Sequence, residues 1–461
     1  MEYHYDVAII GSGPGGYVAA IRARQLGLTA AVIEKSKMGG VCLNWGCIPT
    51  KALINQAGIY NSLPGLEHMG VRTDTSGFNY EAVHQKSRAA AERLSKGVLF
   101  LLKKNKVDFI RGKATIAGPG TITIDHTDEI TAKNIIIATG SRPKDLPGLT
   151  IDEERVLSST GILKLTTLPT SIIILGAGAI GLECAYILNS FGVNVTIVEM
   201  LDSLFPQGDA EITKVVQRVF KKHSIETYVS AQMVDYQFKN GHCEVTLERM
   251  GNLSRISAEK ILVAVGRSPN IDDIGIEHLG VECEKGFIKT GDYYKTAVDT
   301  VFAVGDAINT PLLAHVASRE GETAVEYIAG QRPRPRITHD EIPYGIYCEP
   351  QVGGFGVTEK DAAAHHIPYG KAVFPYRSSG KAVALDNVEG MVKLIFHKDT
   401  KEILGTHIVG AEATELVHEA LLAKTGGLKL KDMAQMLHGH PTLSEMLMEA
   451  ARAGENRAIH L

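Results

Sequence analysis

A repeated pattern of an apolar strand, a glycine-rich turn and a helix restricts the possible folds of this chain more than any other feature. The pattern occupies residues 7–16 and again residues 172–181. In both copies the glycines follow the spacing G-x-G-x-x-G, and a second strand after the helix ends in an acid, Glu34 or Glu199. The interval from the first glycine to that acid is the same, from 11 to 34 and from 176 to 199. Two βαβ units of one kind are therefore predicted.

Each copy has the chemistry of a dinucleotide site. The glycines let the backbone approach a pyrophosphate at the helix N-terminus, and the acid accepts hydrogen bonds from a ribose. These glycines are Gly11, Gly13, Gly16, Gly176, Gly178 and Gly181. Glu199 also repels a 2′-phosphate and is followed by Met200 and Leu201 rather than by arginine, so the second site favours NAD over NADP. Glycines that serve only as tight turns would explain one copy, but they explain the pair poorly.

Two further strands end in glycine at corresponding places and close two lobes. Residues 135–141 end in Thr-Gly-Ser, and residues 261–267 end in Val-Gly-Arg. The segment 146–158 is typical of a linker between the lobes, and the Pro- and Arg-rich stretch 330–336 of a second linker. Beyond it, strands followed by helices without a phosphate loop predict an α+β part.

Composition excludes several classes of function. The 461 residues carry a net charge of −4, which gives no electrostatic case for nucleic acid or an anionic membrane. No stretch reaches the roughly 18 apolar residues of a membrane span, and we expect no signal peptide because the first residues lead directly into a strand. Six cysteines do not make a secreted disulfide framework, so we expect a cytoplasmic protein in which a disulfide is catalytic. Four of them are expected to be buried apolar side chains: Cys184, Cys243, Cys283 and Cys348.

The other two cysteines, Cys42 and Cys47, are separated by four residues. A lone C-x4-C could form a metal half-site or two buried thiols, but the sequence has no second cluster of Cys and His, so we expect no metal. Pro49 suits the first turn of a helix, and the run that follows can continue it. Cys47 would then lie at a helix N-terminus, where the dipole favours a thiolate, and Lys51 one turn later adds positive charge. The pattern predicts a reactive sulfur.

With these features together, the chain resembles the flavin-dependent pyridine nucleotide–disulfide oxidoreductases over essentially its whole length. Residues 39–51 match Gly-Gly-x-Cys-x-Asn-x-Gly-Cys-x-Pro-[ST]-Lys at every motif position, and residues 296–306 match TxxxxVFAxGD. Residues 438–445 are similar to the family's His-Pro-Thr-x-x-Glu box. Its Leu-Ser form, with His438 two places before His440, is typical of the branch that acts on lipoamide.

The resemblance implies an α/β fold with two Rossmann-like dinucleotide-binding domains, one for FAD and one for NAD, and a C-terminal α+β dimerisation domain. It also implies a homodimer in which His440 reaches the disulfide of the other subunit. The expected boundaries are 1–147 for the first part of the FAD-binding domain with the redox disulfide, 148–269 for the NAD-binding domain, 270–340 for the central part of the FAD-binding domain and 341–461 for the dimerisation domain.

The resemblance also assigns roles in a relay of two electrons. Cys42 would be the interchange thiol that forms a mixed disulfide with the substrate, and Cys47 the thiolate beside the flavin. His440 would be the base that deprotonates the incoming thiol, because the thiolate is the nucleophile. Glu445 would hold the tautomer of that histidine.

Lys51 would lie near the flavin and pair with Glu183. The residues expected to bind FAD are Gly11, Gly13, Gly16, Glu34, Lys51, Ala114, Thr139, Gly140, Ser141, Asp306, Leu312, Leu313, Ala314 and His315. Those expected to bind NAD are Gly176, Gly178, Gly181, Glu199 and Gly266.

The implied reaction is oxidation of protein-bound dihydrolipoamide to lipoamide with reduction of NAD⁺. The implied partner is a lipoylated acyltransferase or carrier protein of a 2-oxo-acid dehydrogenase complex or a glycine cleavage system. Two alternatives stay open: an NADPH-dependent disulfide reductase similar to glutathione reductase, and a subunit whose main role is structural docking. Met200 disfavours the first, and retention of Lys51, His440 and both active-site cysteines disfavours the second.

Overall fold

The computed structural model describes residues 3–461. The strands are β1 (Tyr5–Ile10), β2 (Ala30–Glu34), β3 (Asp108–Arg111), β4 (Ala114–Gly118), β5 (Thr121–Ile124), β6 (Asp128–Ile137), β7 (Ser141–Pro143), β8 (Val156–Leu157), β9 (Ser171–Leu175), β10 (Asn194–Val198), β11 (Glu226–Tyr228), β12 (Gln232–Lys239), β13 (His242–Arg249), β14 (Asn252–Ala258), β15 (Lys260–Val263), β16 (Arg267–Pro269), β17 (Cys283–Glu284), β18 (Phe287–Ile288), β19 (Val301–Ala303), β20 (Tyr344–Ile346), β21 (Val352–Gly356), β22 (Tyr369–Pro375), β23 (Met391–His397) and β24 (Ile403–Val409). The helices are α1 (Pro14–Gln25), α2 (Gly40–Trp45), α3 (Cys47–Ser62), α4 (Tyr80–Lys104), α5 (Ala179–Ser190), α6 (Ala210–Lys222), α7 (Ala314–Ile328), α8 (Glu359–Ala364), α9 (Gly380–Ala384), α10 (Ala413–Thr425), α11 (Leu430–Gln435) and α12 (Glu445–Gly454).

The first sheet contains the first glycine-rich unit. Its strands lie in the order β3-β2-β1-β6-β5-β4, and β19, which follows the second lobe in the chain, also pairs with β6. β1 pairs in parallel with both β2 and β6, and its residues 7–10 are buried on both faces, as expected for the central strand of a parallel sheet. Helices α1 and α7 pack together over this sheet. The strand β19 is shorter than the predicted strand over 296–306.

The second sheet repeats this arrangement around the second glycine-rich unit. Its order is β11-β10-β9-β15-β8, and every pair in it is parallel. A three-stranded antiparallel sheet, β12-β13-β14, packs beside it. The expectation that 146–158 is only a linker was wrong, because β8 near its end joins this sheet through β15, where its two apolar residues are buried.

The C-terminal part is an α+β unit, as predicted. Its antiparallel sheet has the order β20-β21-β24-β23-β22, and α10 and α12 pack on the strands to form one apolar core. The predicted fold class is therefore confirmed: two parallel βαβ lobes and a C-terminal α+β domain. The exact residue boundaries between domains stay predictions.

One prediction about the free cysteines was wrong. Cys184, Cys243 and Cys348 are buried, but Cys283 is exposed because it lies in the short β17–β18 hairpin. Among residues 3–461, no helix combines the length and apolar character needed to cross a membrane.

Candidate active site

The two glycine-rich turns have the same backbone geometry. Gly11 follows β1 with φ of +105°, and Gly176 follows β9 with φ of +104°. A Cβ on these residues would lie 2.3 or 2.5 Å from a carbonyl oxygen of the neighbouring chain segment. At the third glycines, Gly16 and Gly181, a Cβ would lie 1.9 or 2.0 Å from the carbonyl oxygen of the first glycine. These four positions therefore accept only glycine.

The middle glycines differ, because they border open space. Gly13 and Gly178 precede α1 and α5, and a Cβ on either would meet nothing within 4 Å. In the described chain no side chain caps either helix, so the first N–H groups of both point into that space. The shape and the free donors fit the pyrophosphate of a dinucleotide at each helix N-terminus.

The acid of each unit is held in place by backbone N–H groups. Glu34 accepts hydrogen bonds from the N–H and hydroxyl of Ser12 at 3.0 and 2.8 Å. Glu199 is buried and accepts from the N–H groups of Ala177 and Leu201, both at 2.8 Å. Each carboxylate therefore has a fixed orientation and free lone pairs for a ribose hydroxyl.

Cys42 and Cys47 form a disulfide between two successive helices. Cys42 lies in α2, and Cys47 is the first residue of α3, as the sequence predicted. No described side chain caps α3, so the helix dipole acts on the Cys47 sulfur and favours its thiolate. The start of helix α2, which carries Cys42, lies against the first phosphate loop. A Cβ on Gly40 would lie 2.8 Å from the Cα of Gly13.

Helix α4 holds the end of α2, which lies between the two cysteines. The Asn44 side chain donates to the carbonyls of Met38 and Gly40, both at 2.9 Å. Arg88 donates to the Asn44 carbonyl at 2.6 Å, and its guanidinium lies 4.5 Å from the centre of the Trp45 ring. Trp45 therefore packs against α4. The sequence has no local signal for Arg88, because it lies in an ordinary amphipathic helix.

Lys51 and Glu183 form an ion pair between α3 and α5. The ammonium donates to both carboxylate oxygens at 3.0 and 2.9 Å. The Glu183 side chain is 6% exposed and that of Lys51 is 33% exposed. The Tyr347 N–H also donates to Glu183 at 3.0 Å, and the Tyr347 ring lies over the Lys51 ammonium at 4.3 Å. The structure thus brings the predicted pair together and adds a tyrosine that the sequence did not indicate.

Asp306 is joined to the predicted turn at residues 139–141. The Ser141 hydroxyl donates to the Asp306 carboxylate. Arg267 donates to the hydroxyl and the carbonyl of Ser141, both at 2.6 Å, and its Nε lies 3.9 Å from the carboxylate. Asn270 donates to the Thr139 carbonyl at 3.1 Å.

Arg267 and Asn270 were not predicted as site residues. The available signal was their position, since they follow the second lobe's closing strand just as the Thr-Gly-Ser turn follows the first. In the structure these two lobe ends pair as the antiparallel strands β16 and β7.

A buried carboxylate lies behind Asp306. Glu320 on α7 is 0% exposed, and its Oε2 accepts from the Gly305 N–H at 2.6 Å. Its other oxygen has no hydrogen-bond partner among the described residues. Burial raises the pKa of Glu320 to about 7, and the Gly305 N–H, the nearby Thr310 hydroxyl and Arg336 offset only part of this increase.

The other predicted cofactor contacts belong to separate segments of the chain. Residues 312–315 lead into α7, where the His315 ring is hydrogen-bonded to the Pro343 carbonyl at 2.8 Å. Ala114 is buried at the start of β4, close to the Gly112 N–H that donates to the Glu34 carbonyl. Gly140 adopts a φ of +70°, and Gly266 one of +123°, each at the end of its lobe. Their contacts with a cofactor stay predictions.

His440 and Glu445 form a hydrogen-bonded pair at the start of α12. The Nδ1 atom of His440 lies 3.0 Å from Glu445 Oε1, and the Thr442 N–H donates to Oε2 at 2.8 Å. Burial opposes ionisation of Glu445, but Thr442 and His440 outweigh it and hold the pKa of Glu445 below its ordinary value. The carboxylate therefore orients the ring and leaves Nε2 free for a proton. His438 instead faces Glu419, at 2.9 Å.

His440 does not meet the disulfide within the chain. Its side chain is 78% exposed, and no hydrogen bond in the described residues joins it to either sulfur. The structure therefore brings together two half-sites, the disulfide with Lys51–Glu183 and the histidine with Glu445, but does not join the halves in one chain.

Comparison with known proteins decides which family this arrangement belongs to. The sequence profile described as pyridine nucleotide-disulphide oxidoreductase matches residues 5–321, and the profile of that family's dimerisation domain matches residues 342–451. The chain belongs to the pyridine nucleotide-disulphide oxidoreductases. The predicted family is therefore confirmed.

Relatives in the family resemble this chain over its full length. A dihydrolipoyl dehydrogenase from Bacillus subtilis is 41% identical over 476 aligned residues, which cover 100% of both chains. One from Rhizobium etli is 39% identical over 482, again with 100% of both covered. The crystal structure of LpdA from Mycobacterium tuberculosis superposes with a TM-score of 0.90 at 25% identity, covering 97% of this chain and 99% of that one.

The cofactors of the family are FAD and a nicotinamide dinucleotide, so the cofactor prediction is confirmed. The two open cradles at Gly13 and Gly178 fit one dinucleotide each. The segment that carries Cys42 lies beside the first cradle.

Proposed function

We propose that this chain is a dihydrolipoyl dehydrogenase, which transfers two electrons from a protein-bound dihydrolipoyl group to NAD⁺. The observation that carries the proposal is the Cys42–Cys47 disulfide at the N-terminus of α3, beside the first dinucleotide cradle. The full-length similarity to dihydrolipoyl dehydrogenases from two bacteria supports it.

The first half of the reaction is thiol–disulfide exchange. His440 Nε2 accepts the proton of one dihydrolipoyl thiol, and the resulting thiolate attacks the Cys42 sulfur, which breaks the bond to Cys47. Cys47 leaves as a thiolate, favoured by the α3 dipole. After His440 has passed the first proton to solvent, its Nε2 accepts the proton of the second lipoyl thiol, and the resulting thiolate attacks the lipoyl sulfur of the mixed disulfide, which breaks the bond to Cys42. Lipoamide is released as a disulfide, and Cys42 is released as a thiolate.

The second half returns the protein to the disulfide. When bound, FAD supplies the two-electron carrier between the cysteine pair and NAD⁺. The protein's part is to keep Cys47 at the helix N-terminus, to hold Lys51 beside it through Glu183, and to orient the dinucleotide at Gly178 and Glu199. Overall, two thiols of dihydrolipoamide and NAD⁺ give one disulfide, NADH and one proton.

The base would come from the second subunit of a homodimer. His440 is exposed and unconnected to the disulfide within the described chain, and it lies in the part that matches the dimerisation domain. The partner subunit's His440 and Glu445 would then complete each site. The physiological partner would be a lipoylated carrier or acyltransferase of a multienzyme complex, whose lipoyl arm reaches Cys42.

The activity is tested directly with purified holoenzyme. Dihydrolipoamide and NAD⁺ should give NADH, with little NADPH formed from NADP⁺, because Glu199 repels a 2′-phosphate. The variant Cys42→Ser should lose this turnover while it retains FAD that NADH can reduce. Absence of dihydrolipoamide-dependent NADH formation, or preferential use of NADP⁺, would contradict the proposal.

Shared sites are tested with a mixed dimer of a Cys42→Ser chain and a His440→Gln chain. If the histidine acts across the interface, one of the two sites combines an intact cysteine pair with an intact histidine, so the mixed dimer keeps about half of wild-type activity. Both homodimers of the variants should be nearly inactive. A histidine that acts within its own chain would leave no complete site, and the mixed dimer would then be inactive as well.

A further inference from the structure

The ion pair of Lys51 and Glu183 lies where three parts of the molecule meet. Lys51 comes from the helix that begins at Cys47, and Glu183 from the helix of the second dinucleotide unit. Tyr347 directly follows β20 of the C-terminal sheet and contacts both residues. No other described aromatic ring lies over Lys51.

Tyr347 holds the two charged groups in different ways. Its N–H donates to Glu183 Oε1 at 3.0 Å, and that oxygen also accepts from the Lys51 ammonium. Its ring face lies 4.3 Å from the ammonium, a distance at which the ring quadrupole attracts a cation. The backbone thus fixes the carboxylate while the side chain covers the ammonium.

This arrangement matters because the pair is unequally buried. Glu183 is almost fully buried, whereas one third of the Lys51 side chain reaches solvent. A buried carboxylate stabilises its partner only if the geometry is well defined, and a partly exposed lysine has many rotamers with which to leave. The ring over the ammonium removes those rotamers.

We propose that Tyr347 is a positioning residue that holds Lys51 in place for electron transfer at the FAD site. The inference rests on the proposed function, in which Lys51 lies beside FAD. It adds that the part of the chain matching the dimerisation domain supplies a side chain to the electron-transfer centre as well as the histidine to the substrate side.

The test compares Tyr347→Leu with Tyr347→Phe in the holoenzyme. Leucine keeps the backbone N–H and an apolar side chain but removes the ring face. Phenylalanine keeps the backbone N–H and the ring face. A cation–π contact of this kind changes an equilibrium about two- to thirtyfold. A fixed cation favours the uptake of electrons nearby, so Tyr347→Leu should lower the midpoint potential of bound FAD. The two- to thirtyfold change corresponds to about 10 to 45 mV for a two-electron couple. Tyr347→Phe should restore the wild-type potential.

Steady-state kinetics give a second readout. Tyr347→Leu should lower kcat two- to thirtyfold with little change in KM for NAD⁺, because leucine keeps the backbone N–H that fixes Glu183 on the helix of the second dinucleotide unit. If Tyr347→Leu does not retain FAD, Tyr347→Met takes its place, since the longer side chain fills more of the ring's volume.

The control is Lys51→Met. An unchanged potential in Tyr347→Leu overturns the proposal. If Lys51→Met then shifts the potential, the role of Lys51 at FAD stands and only that of Tyr347 fails. If neither variant shifts it, the placement of Lys51 beside FAD fails as well. A wild-type enzyme without dihydrolipoamide turnover is a different outcome, because it would refute the proposed function whatever the potentials show.

Discussion

Replacing Glu320 by glutamine should make the protein's stability less dependent on pH. Glu320 is 0% exposed, with one oxygen on the Gly305 N–H and the other unpartnered within residues 3–461. Glutamine keeps a carbonyl oxygen for Gly305 but cannot ionise. The substitution therefore removes the titration of the site and leaves its hydrogen bond.

The magnitude follows from the pKa of Glu320, which burial raises from 4.5 to about 7. Below pH 4.5 the carboxyl is protonated in both the folded and the unfolded chain, so it makes no pH-dependent contribution. Between pH 4.5 and 7 the folded protein holds a proton that the unfolded chain has released, so stability falls as pH rises. The total loss is about 3 kcal/mol, and it is complete above pH 7.

The assay is urea unfolding of the wild-type and Glu320→Gln holoenzymes at pH 5 and pH 8. The two proteins should have similar midpoints at pH 5, and the variant should have the higher midpoint at pH 8. Hydrogen exchange at the Gly305 amide gives a local measure of the same effect. Glu322→Gln is the matched control, because Glu322 lies on the same helix with 37% of its side chain exposed. If the difference in urea midpoint between the wild type and Glu320→Gln is the same at pH 5 and pH 8, Glu320 is not a buried carboxylate that titrates in this range.

Two further predictions concern packing. Gly178→Ala should fold normally and weaken NAD binding on the order of tenfold, because its Cβ enters only the open cradle. Gly181→Ala should prevent normal folding, because its Cβ would lie 2.0 Å from a carbonyl oxygen. Isothermal titration calorimetry measures the first effect and thermal unfolding the second. Lys393→Met should destabilise the protein by about 3–5 kcal/mol, because it leaves Asp209, 2% exposed, without the lysine that lies 2.8 Å away. The exposed Lys371→Met should cost less than about 1 kcal/mol in the same unfolding experiment.

The parts of the site that the sequence predicted are those encoded locally. The three glycines of each dinucleotide unit join its strand directly to its helix, and Pro49 suits the first turn of the helix at Cys47. The first and third glycines of each unit are set by a contact with a nearby backbone atom, so at these positions the residue type is itself the signal. The disulfide pairing followed from the family resemblance, and the structure contains it.

The parts that the sequence did not predict are contacts between distant segments. Arg267 and Ser141 are separated by 126 residues, and Tyr347 and Glu183 by 164. An arginine after a strand, or a tyrosine before a cysteine, has no periodic or capping pattern that distinguishes it from a surface residue. The prediction that Cys283 is buried was wrong for a related reason. The sequence around it does not show that its short hairpin lies at the surface.

The pair formed by His440 and Glu445 combines the two cases. The box is local and could be recognised, because five residues bring the ring and the carboxylate to 3.0 Å. What it acts on is not local, since the ring is exposed and, in the described residues, no hydrogen bond joins it to the disulfide of its own chain. A carboxylate that orients a histidine towards solvent gives no advantage to an isolated chain. The pair is useful only if a second surface covers it, and the same C-terminal part that carries it also sends Tyr347 into the Lys51–Glu183 pair. Catalysis is therefore expected to require both the folding of that part onto the two lobes and its pairing with a second copy. A variant that dissociates the dimer should lose dihydrolipoamide turnover, while its Lys51–Glu183–Tyr347 contacts remain.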